Sequence, residues 1–462
     1  MRIKMTTLTW VALAIFAVTY ILIFALKNAR PYIALASAVV FVVLGITRIF
    51  PDFSYSPLAA LKEIDWNVLM MIVGIMGTVV LFSESGMPRR MGDILISRVG
   101  SVKWMIVLMS LFAGIVSAFV DNVATVLMIA PIALAICSKL EISPVAMVIC
   151  ISISSNLQGA ATLVGDTTSI LLAKFAGLDF TDFFFFRGRP GMFWVTEAGA
   201  VASALIIIFM FRKENKKIPP IEVLNVEDKF PTVMLVGTVL ALIAVSFIPY
   251  KDAAAPGQFY KPDWTNGALC ILFMIIGIVR GCIKRRSKAP LQKVLIGIID
   301  EKDTLILLFG LFIVIGGIRR AGIIDLIGKG IFNLCGGTTR SALFVTFTVI
   351  VWMSVVISAF IDNIPYVATM LPVVRSLAAG FAVSADPAVA NNSATLLYFG
   401  LLVGATLGGN LTPVGASANI TGLGILKAGG HTVENKDFMK YSVPFTLSAV
   451  LVGYVLLWII WM

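Results

Sequence analysis

The hydrophobic positions of this chain fall in long unbroken runs. Stretches 8–26, 31–50, 66–82, 191–211, 231–249, 264–279, 304–318 and 441–462 are almost wholly apolar. A helix rises about 1.5 Å per residue, so about 20 apolar residues cross the roughly 30 Å hydrocarbon core of a bilayer. The runs are near that length. Alternation with a period of two over short segments, the mark of a membrane barrel, is absent. The pattern predicts an all-α polytopic membrane protein. Run 8–26 is too long for the apolar part of a signal peptide, and 27–30 offers no small-residue cleavage site, so it is read as a mature helix.

Two further apolar runs end in the same polar pair. Run 104–120 closes in SAFVDN (117–122), and a second run closes in SAFIDN (358–363). The match extends. SAFVDNVATVLMIAP (117–131) aligns with SAFIDNIPYVATMLP (358–372) at an offset of 241, with seven of fifteen positions identical. Upstream, Gly74 and Ser85-Gly86 align with Gly310 and Ala321-Gly322 at an offset of 236; downstream, TLVG (162–165) aligns with TPVG (412–415) at 250. Three matches in one order make the chain a duplication: repeat 1 at 1–212, a linker at 213–230 and repeat 2 at 231–462. Repeat 1 is read as scaffold helices within 8–83, an interfacial amphipathic helix at 89–99, a hairpin at 104–137, a broken helix at 143–173 and a closing helix at 191–212. The counterparts in repeat 2 are 231–318, 319–334, 341–379, 394–427 and 441–462. Each repeat then holds about five crossings, a re-entrant hairpin and one broken helix. The second hairpin limb, 123–136, is too short to span, which places the acid–amide tips inside the membrane.

Composition supports this and charge adds a direction. Hydrophobic residues make up 59% and charged residues 13% of the chain, with a net charge of +11. The lysines and arginines gather in short loops, as the positive-inside rule requires. RKENKKIPPIEVLNVEDK (212–229) and the basic stretch 280–302, which opens RGCIKRRSKAP, are read as cytoplasmic loops, which puts both termini outside a plasma membrane, a prokaryotic inner membrane. Repeat 1 then runs from outside to inside and repeat 2 the reverse, the inverted topology common in secondary transporters. Arg2 and Lys4 run against that orientation. Loops 84–103 and 319–340 carry four basic residues each and face opposite sides. No basic–aromatic interleaving points to nucleic acid as a partner; the partner is the lipid bilayer. Five scattered cysteines without CxxC spacing and a lone His431 exclude a zinc site and Ser-His catalysis. No phosphate-binding loop is present, so ATP drive would need a partner ATPase. An intramembrane aspartyl protease, the competing class, needs Gly-x-Gly-Asp; the nearest match is Leu163-Val164-Gly165-Asp166.

The candidate chemistry sits at the tips and breaks. The substrate and ion set is Asp121, Asn122 and Thr125 at the first tip and Asp362 and Asn363 at the second. SSNLQGAATLVGDTTS (154–169) adds Asn156, Gln158, Thr162, Asp166 and Thr168. GATLGGNLTPVGASAN (404–419) adds Asn410, Thr412, Ser417 and Asn419. Unwound backbone survives at membrane depth inside protein or along a wet cavity. Its carbonyls, with hydroxyls and amides, can replace water around Na⁺ at the two breaks, or helix N-termini can receive an anion or a neutral hydroxide. Asp121, Asp362 and Asp166 are the proton-coupling candidates, since buried carboxyls suit reversible protonation. Plain N-capping is the alternative for the tip acids. No lysine or arginine falls in either tip or break, and Arg375 lies thirteen residues past Asp362. Such a site suits a cation, protons or a neutral species such as arsenous acid, and repels dicarboxylates. Glu197 reads as a relay or an interfacial side chain, Glu84 as a loop residue, and the aromatics 183–186, Trp458 and Trp461 as interfacial.

At VDNVATVLMIAP, GAATLVGD, DNIPYVATMLP and GGNLTPVGASAN the chain resembles the ion transporter superfamily, specifically its arsenite permease and NhaD-type sodium/proton antiporter (ArsB/NhaD) branch, and also the melanosomal P protein. The resemblance covers nearly the whole chain. It implies an inverted-repeat fold with hairpins and broken helices, often a homodimer, that moves substrate by an elevator-like shift of the hairpin domain. The activity it implies is secondary transport coupled to H⁺ or Na⁺, without other cofactors. Arsenite and antimonite efflux comes first, and Na⁺/H⁺ antiport or Na⁺-coupled anion symport are the alternatives. Relatives read Gly-Asp-Pro-Pro-Asn where this chain has Gly165-Asp166-Thr167-Thr168-Ser169. Dicarboxylate carriers have Ser-Asn-Thr at tips that here carry Asp121-Asn122 and Asp362-Asn363.

Overall fold

A computed structural model describes residues 7–26, 29–218, 222–251, 258–324, 326–328, 330 and 336–462. Backbone in hydrocarbon must bond to itself, so the apolar runs become helices. Repeat 1 holds α1 (Thr7–Ala25), α2 (Arg30–Thr47), α3 (Pro57–Glu63), α4 (Trp66–Glu84), α5 (Met87–Ser97), α6 (Val102–Ser117), α7 (Asn122–Lys139), α8 (Val145–Gly159), α9 (Thr167–Ala176) and α10 (Met192–Met210). Repeat 2 holds α11 (Phe230–Ser246), α12 (Thr265–Arg285), α13 (Ala289–Asp300), α14 (Lys302–Arg320), α15 (Arg340–Ser358), α16 (Asn363–Phe381), α17 (Pro387–Leu402), α18 (Ser417–Ala428) and α19 (Asn435–Trp461). Among the described residues nine helices are long and apolar enough to span. Paired strands are confined there to Phe185–Phe186 with Arg189–Pro190. The chain is a nearly all-helical multi-pass membrane protein.

The duplication is visible atom by atom at the breaks. Helix α8 ends at Gly159, the chain unwinds, and α9 restarts at Thr167. In repeat 2, α17 loosens into a π turn (Val403–Leu407) and a 3-10 turn (Gly409–Leu411) before α18. Thr162 donates its hydroxyl to the carbonyl of Ala118, and Thr412 donates to the carbonyl of Ala359, the equivalent atom. Gly165 sits so that an added Cβ would lie 2.6, 2.7 and 2.8 Å from the carbonyl oxygens of Gly159, Ser117 and Ala118. At Gly415 the same three distances separate it from those of Gly409, Ser358 and Ala359. Each break is therefore pressed into the turn of its own hairpin, where no side chain fits.

Packing shows the inversion. Gly422 of α18 lies against Ser152 and Val148 of α8, and Gly429 past its end lies against Leu134 of α7. So α18 finishes where α8 begins. At the opposite end, Lys174 of α9 and Arg375 of α16 line one cavity. The two broken helices run in opposite directions, each flanked by the other's hairpin. Around them, α2 lies along α14 with Ala34 on Gly310 and Phe41 on Gly317. Helix α4 lies along α12 with Cys270 on Gly74 and Met274 on Gly77.

Several expectations change. The interfacial helix expected at 89–99 is α5, Met87–Ser97. The one expected at 319–334 falls partly on residues 325, 329 and 331–335, which lie outside the described residues. The second limb of the first hairpin is not short: α7 runs 18 residues through Pro131 to Lys139 and is long enough to span. The polar Ser138-Lys139 ends the apolar run before it ends the helix. The stretch read as a basic loop contains α13, whose Val294 is buried with Leu81 and Met274. Trp461 is not interfacial but fully buried, on Phe399 and Phe186. Phe183 is fully buried as well.

Candidate functional site

Both tip acids are helix caps. Asp121 Oδ1 accepts from the N–H groups of Val123 (2.9 Å) and Ala124 (3.3 Å) at the start of α7. Asp362 Oδ1 accepts from the N–H of Ile364 (3.3 Å) at the start of α16. Asp166 caps α9 through the N–H (3.4 Å) and hydroxyl (2.7 Å) of Thr168. A cap uses few of a carboxylate's acceptor positions, so capping and ligand binding are compatible.

The amides stitch tips to breaks. Asn122 donates to Asn156 Oδ1 at 2.9 Å. Asn156 donates in turn to the carbonyl of Thr406 (2.7 Å) and to Asn410 Oδ1 (3.0 Å). Asn410 donates to the carbonyl of Ile153 at 2.8 Å. Asn363 donates to Asp166 Oδ2 at 3.3 Å, joining the second tip to the first break. Thr168 and Thr406 pair at 3.1 Å.

A cavity of about 290 Å³ opens on this network. Asp121, Asn122, Asp166, Asn363 and Ser417 line it, and so do Glu301, Thr304 and Thr421, with Ile72, Ile75 and Met76 of α4 as an apolar wall. Among the described residues no lysine or arginine lines it. Three carboxylates around one cavity at membrane depth need counter-charge, because ions removed from water are costly unless paired.

The other predicted residues frame this cavity without lining it. Thr162, Thr412 and Asn419 satisfy backbone carbonyls at the breaks, Asn419 those of Gly409 (3.1 Å) and Thr412 (3.2 Å). Thr125 donates to the carbonyl of Val120 at 3.4 Å. Gln158 is fully buried against Gly114 of α6, and its amide atoms have no hydrogen-bond partner. Glu84 is the last residue of α4 and pairs with Lys293 of α13.

Two charged residues were missed. Glu301 stands between α13 and α14; the reading of 280–302 as a cytoplasmic loop concealed it, although it lies 236 residues from Asp65, the cap of α4. Arg30 begins α2 and reaches Asp362 Oδ2 at 3.3 Å. The reading that no fixed cation touches the site is thereby corrected. Both tips and breaks lack lysine and arginine in sequence, yet the fold delivers a guanidinium to the second tip from 332 residues away.

An inverted pair of hairpins and broken helices around a cavity lined by three carboxylates defines a membrane transporter. The chain belongs to the citrate transporter family: the family model CitMHS, described as citrate transporter, matches residues 20–391. An uncharacterized transporter of Mycobacterium tuberculosis is 30% identical over 460 residues, covering 97% of this chain and 98% of that one. The human P protein is 26% identical over 517 residues, covering 98% of this chain and 60% of its own. In fold the chain is similar to the YdaH transporter of Alcanivorax borkumensis, with a TM-score of 0.61 at 14% identity, covering 96% of this chain and 97% of that one. It is also similar to MtrF of Neisseria gonorrhoeae, with a TM-score of 0.55 at 13% identity, covering 93% and 94%. These point to transport rather than catalysis.

Proposed function

We propose that the protein is a proton-coupled secondary transporter whose cargo is a small cation or a neutral hydroxide, with arsenite and antimonite efflux as the leading assignment. The observation that carries this is the cavity bounded by Asp121, Asp166 and Glu301 and, among the described residues, free of lysine and arginine along its wall. A trihydroxy metalloid can donate to those carboxylates and to Asn122 and Asn363 without bringing negative charge. Protons returning on the same carboxylates supply the coupling.

Na⁺/H⁺ antiport is the second reading. What favours it is the set of side-chain oxygens on the cavity wall, those of Asp121, Asp166, Glu301, Thr304 and Ser417, with the amides of Asn122 and Asn363. Oxygen-rich pockets of that kind replace an alkali ion's hydration. A citrate-like anion, which the family description names, needs a cation that this cavity lacks while Arg30 is engaged by Asp362. On this reading the hairpins and broken helices slide as a unit against the helices around them. The protein sits in the plasma membrane as a homodimer, with the linker 213–230 in the cytoplasm.

A flux panel in proteoliposomes under an imposed pH gradient tests this. It compares arsenite, antimonite, Na⁺, Li⁺, succinate and citrate. The expected result is gradient-driven movement of a metalloid or alkali ion. Strong succinate or citrate exchange with no metalloid or alkali flux overturns it.

A further inference from the structure

The two tips share a sequence but not an environment. Asp121 faces the open cavity beside Asp166 and Glu301. Asp362 is instead held from two sides: its Oδ2 accepts from the Ser417 hydroxyl at 3.0 Å and from Arg30 Nη1 at 3.3 Å. The side chains of Arg30 and Asp362 are 13% and 14% exposed. At the position that the offset of 236 relates to Arg30, repeat 2 carries Asn266. It faces away from the first tip, towards Asp179 (3.4 Å) and Tyr250 (3.2 Å). Only the second tip receives a guanidinium among the described residues.

The anchoring of each partner matters. Arg30 belongs to the surrounding helices: its Nε donates to the carbonyl of Ile23 at 3.2 Å, fixing it to the end of α1, and its helix lies along α14. Asp362 belongs to the hairpin and, through Ser417, to the second break. The ion pair therefore bridges two bodies, each holding its own partner. A hydroxyl contact between Tyr20 of α1 and Thr369 of α16 crosses at the same junction.

We propose that Arg30–Asp362 is a latch: the pair holds the second hairpin against α1 and α2 and parts whenever that hairpin moves. This deepens the proposed function, resting on its reading of the hairpins as the moving part. Separating a sparsely hydrated ion pair leaves an uncompensated charge on each side, which is strongly unfavourable. Around Asp362 stand Arg30 from α2, Ser417 from α18 and the N–H of Ile364 from α16. The first tip, with no such partner, is left free to carry cargo or protons.

The test uses the reconstituted full chain with Arg30→Gln, Arg30→Lys, Asp362→Asn and the double Arg30→Gln/Asp362→Asn. Hydrogen–deuterium exchange, corrected for intrinsic pH dependence, is read at the second tip (358–366) and the first (117–125). The expected result is about tenfold faster exchange at the second tip in Arg30→Gln, no change at the first, and near-parental protection in Arg30→Lys. Asp362→Asn should loosen the second tip to a similar degree, and the double variant no further than either single one. Equal protection of the second tip in parent and Arg30→Gln overturns the latch, as does equal loosening of both tips. The readout does not depend on cargo. Latch behaviour without flux of any tested solute would reject the cargo assignment alone, and flux without latch behaviour would reject the latch alone.

Discussion

Asn156 and Asn410 meet at 3.0 Å, both fully buried, one from each broken helix. Through this pair the unwound segments of the two repeats satisfy one another. Asn156 also serves Asn122 and the carbonyl of Thr406, so its amide ties together three elements. Asn156→Ala leaves those groups buried without partners, a loss of about 1–3 kcal/mol. A lower melting temperature in detergent is expected, and an unchanged one would count against a structural role for this pair.

Gly165 and Gly415 should fail alike. A methyl group at either meets three carbonyl oxygens at 2.6–2.8 Å. Overpacking of this kind costs about 1–3 kcal/mol or more. Gly165→Ala and Gly415→Ala are expected to lower folded yield and melting temperature to a similar degree, as judged by size-exclusion profiles. A large difference between them would show that the breaks are not equivalent.

The cavity acids are ranked by their surroundings. Asp121→Asn and Asp166→Asn should each reduce proton-coupled flux about tenfold or more, equivalent to about 1.4 kcal/mol. Glu301→Gln, at the cavity's other wall, is expected to alter the pH dependence of flux while leaving the fold intact. Unchanged pH-dependent flux in all three variants would remove the carboxylates from the coupling scheme.

Orientation can be read from single cysteines. Asp52 lies exposed between α2 and α3, and Ser287 lies exposed between α12 and α13. In intact cells an impermeant maleimide should label Asp52→Cys and leave Ser287→Cys unmodified until the membrane is opened. The opposite pattern would invert the topology.

The linker end of α11 carries a pH-dependent contact. Burial pushes the Asp228 carboxyl up, but hydrogen bonds from Arg280, the N–H of Phe230 and Lys284 outweigh this and hold it below its ordinary value. Arg280 approaches it at 2.9 and 2.7 Å. A depressed carboxylate stabilises the folded state above the unfolded value of about 3.9, and this is lost as pH falls through the folded value. The melting-temperature gap between the parent and Asp228→Asn should therefore hold from pH 8 to 5 and close below about pH 4. A gap that closes near neutrality would assign the contact to another group.

Much of this architecture was legible because the bilayer imposes it. Apolar runs gave helices, and the SAFVDN/SAFIDN echo located both tips. The glycine- and amide-rich segments marked both breaks. Charges brought in from far along the chain were not legible. Arg30 sits in a basic loop that obeys the positive-inside pattern, and nothing local separates a topology arginine from one aimed at an acid 332 residues on. Glu301 was concealed for the same reason, since α13 begins among basic residues and its apolar face is short. Capping and site roles also could not be divided by sequence, because the same oxygen types serve both.

The cross-packing of the repeats bears on how such a chain reaches its native state. Helix α2 settles on α14, α4 on α12 and α10 on α19, all partners from the other half. Ser203 of α10 donates to the carbonyl of Phe445, 242 residues later, at 2.9 Å. The amino-terminal half thus emerges from the ribosome and enters the bilayer with several of its lasting neighbours still unsynthesised. Its helices must wait in lipid, individually stable as helices but not yet docked, until the carboxyl-terminal half arrives. Contacts of such long range make assembly slow. The two halves are complete as patterns but not as folding units.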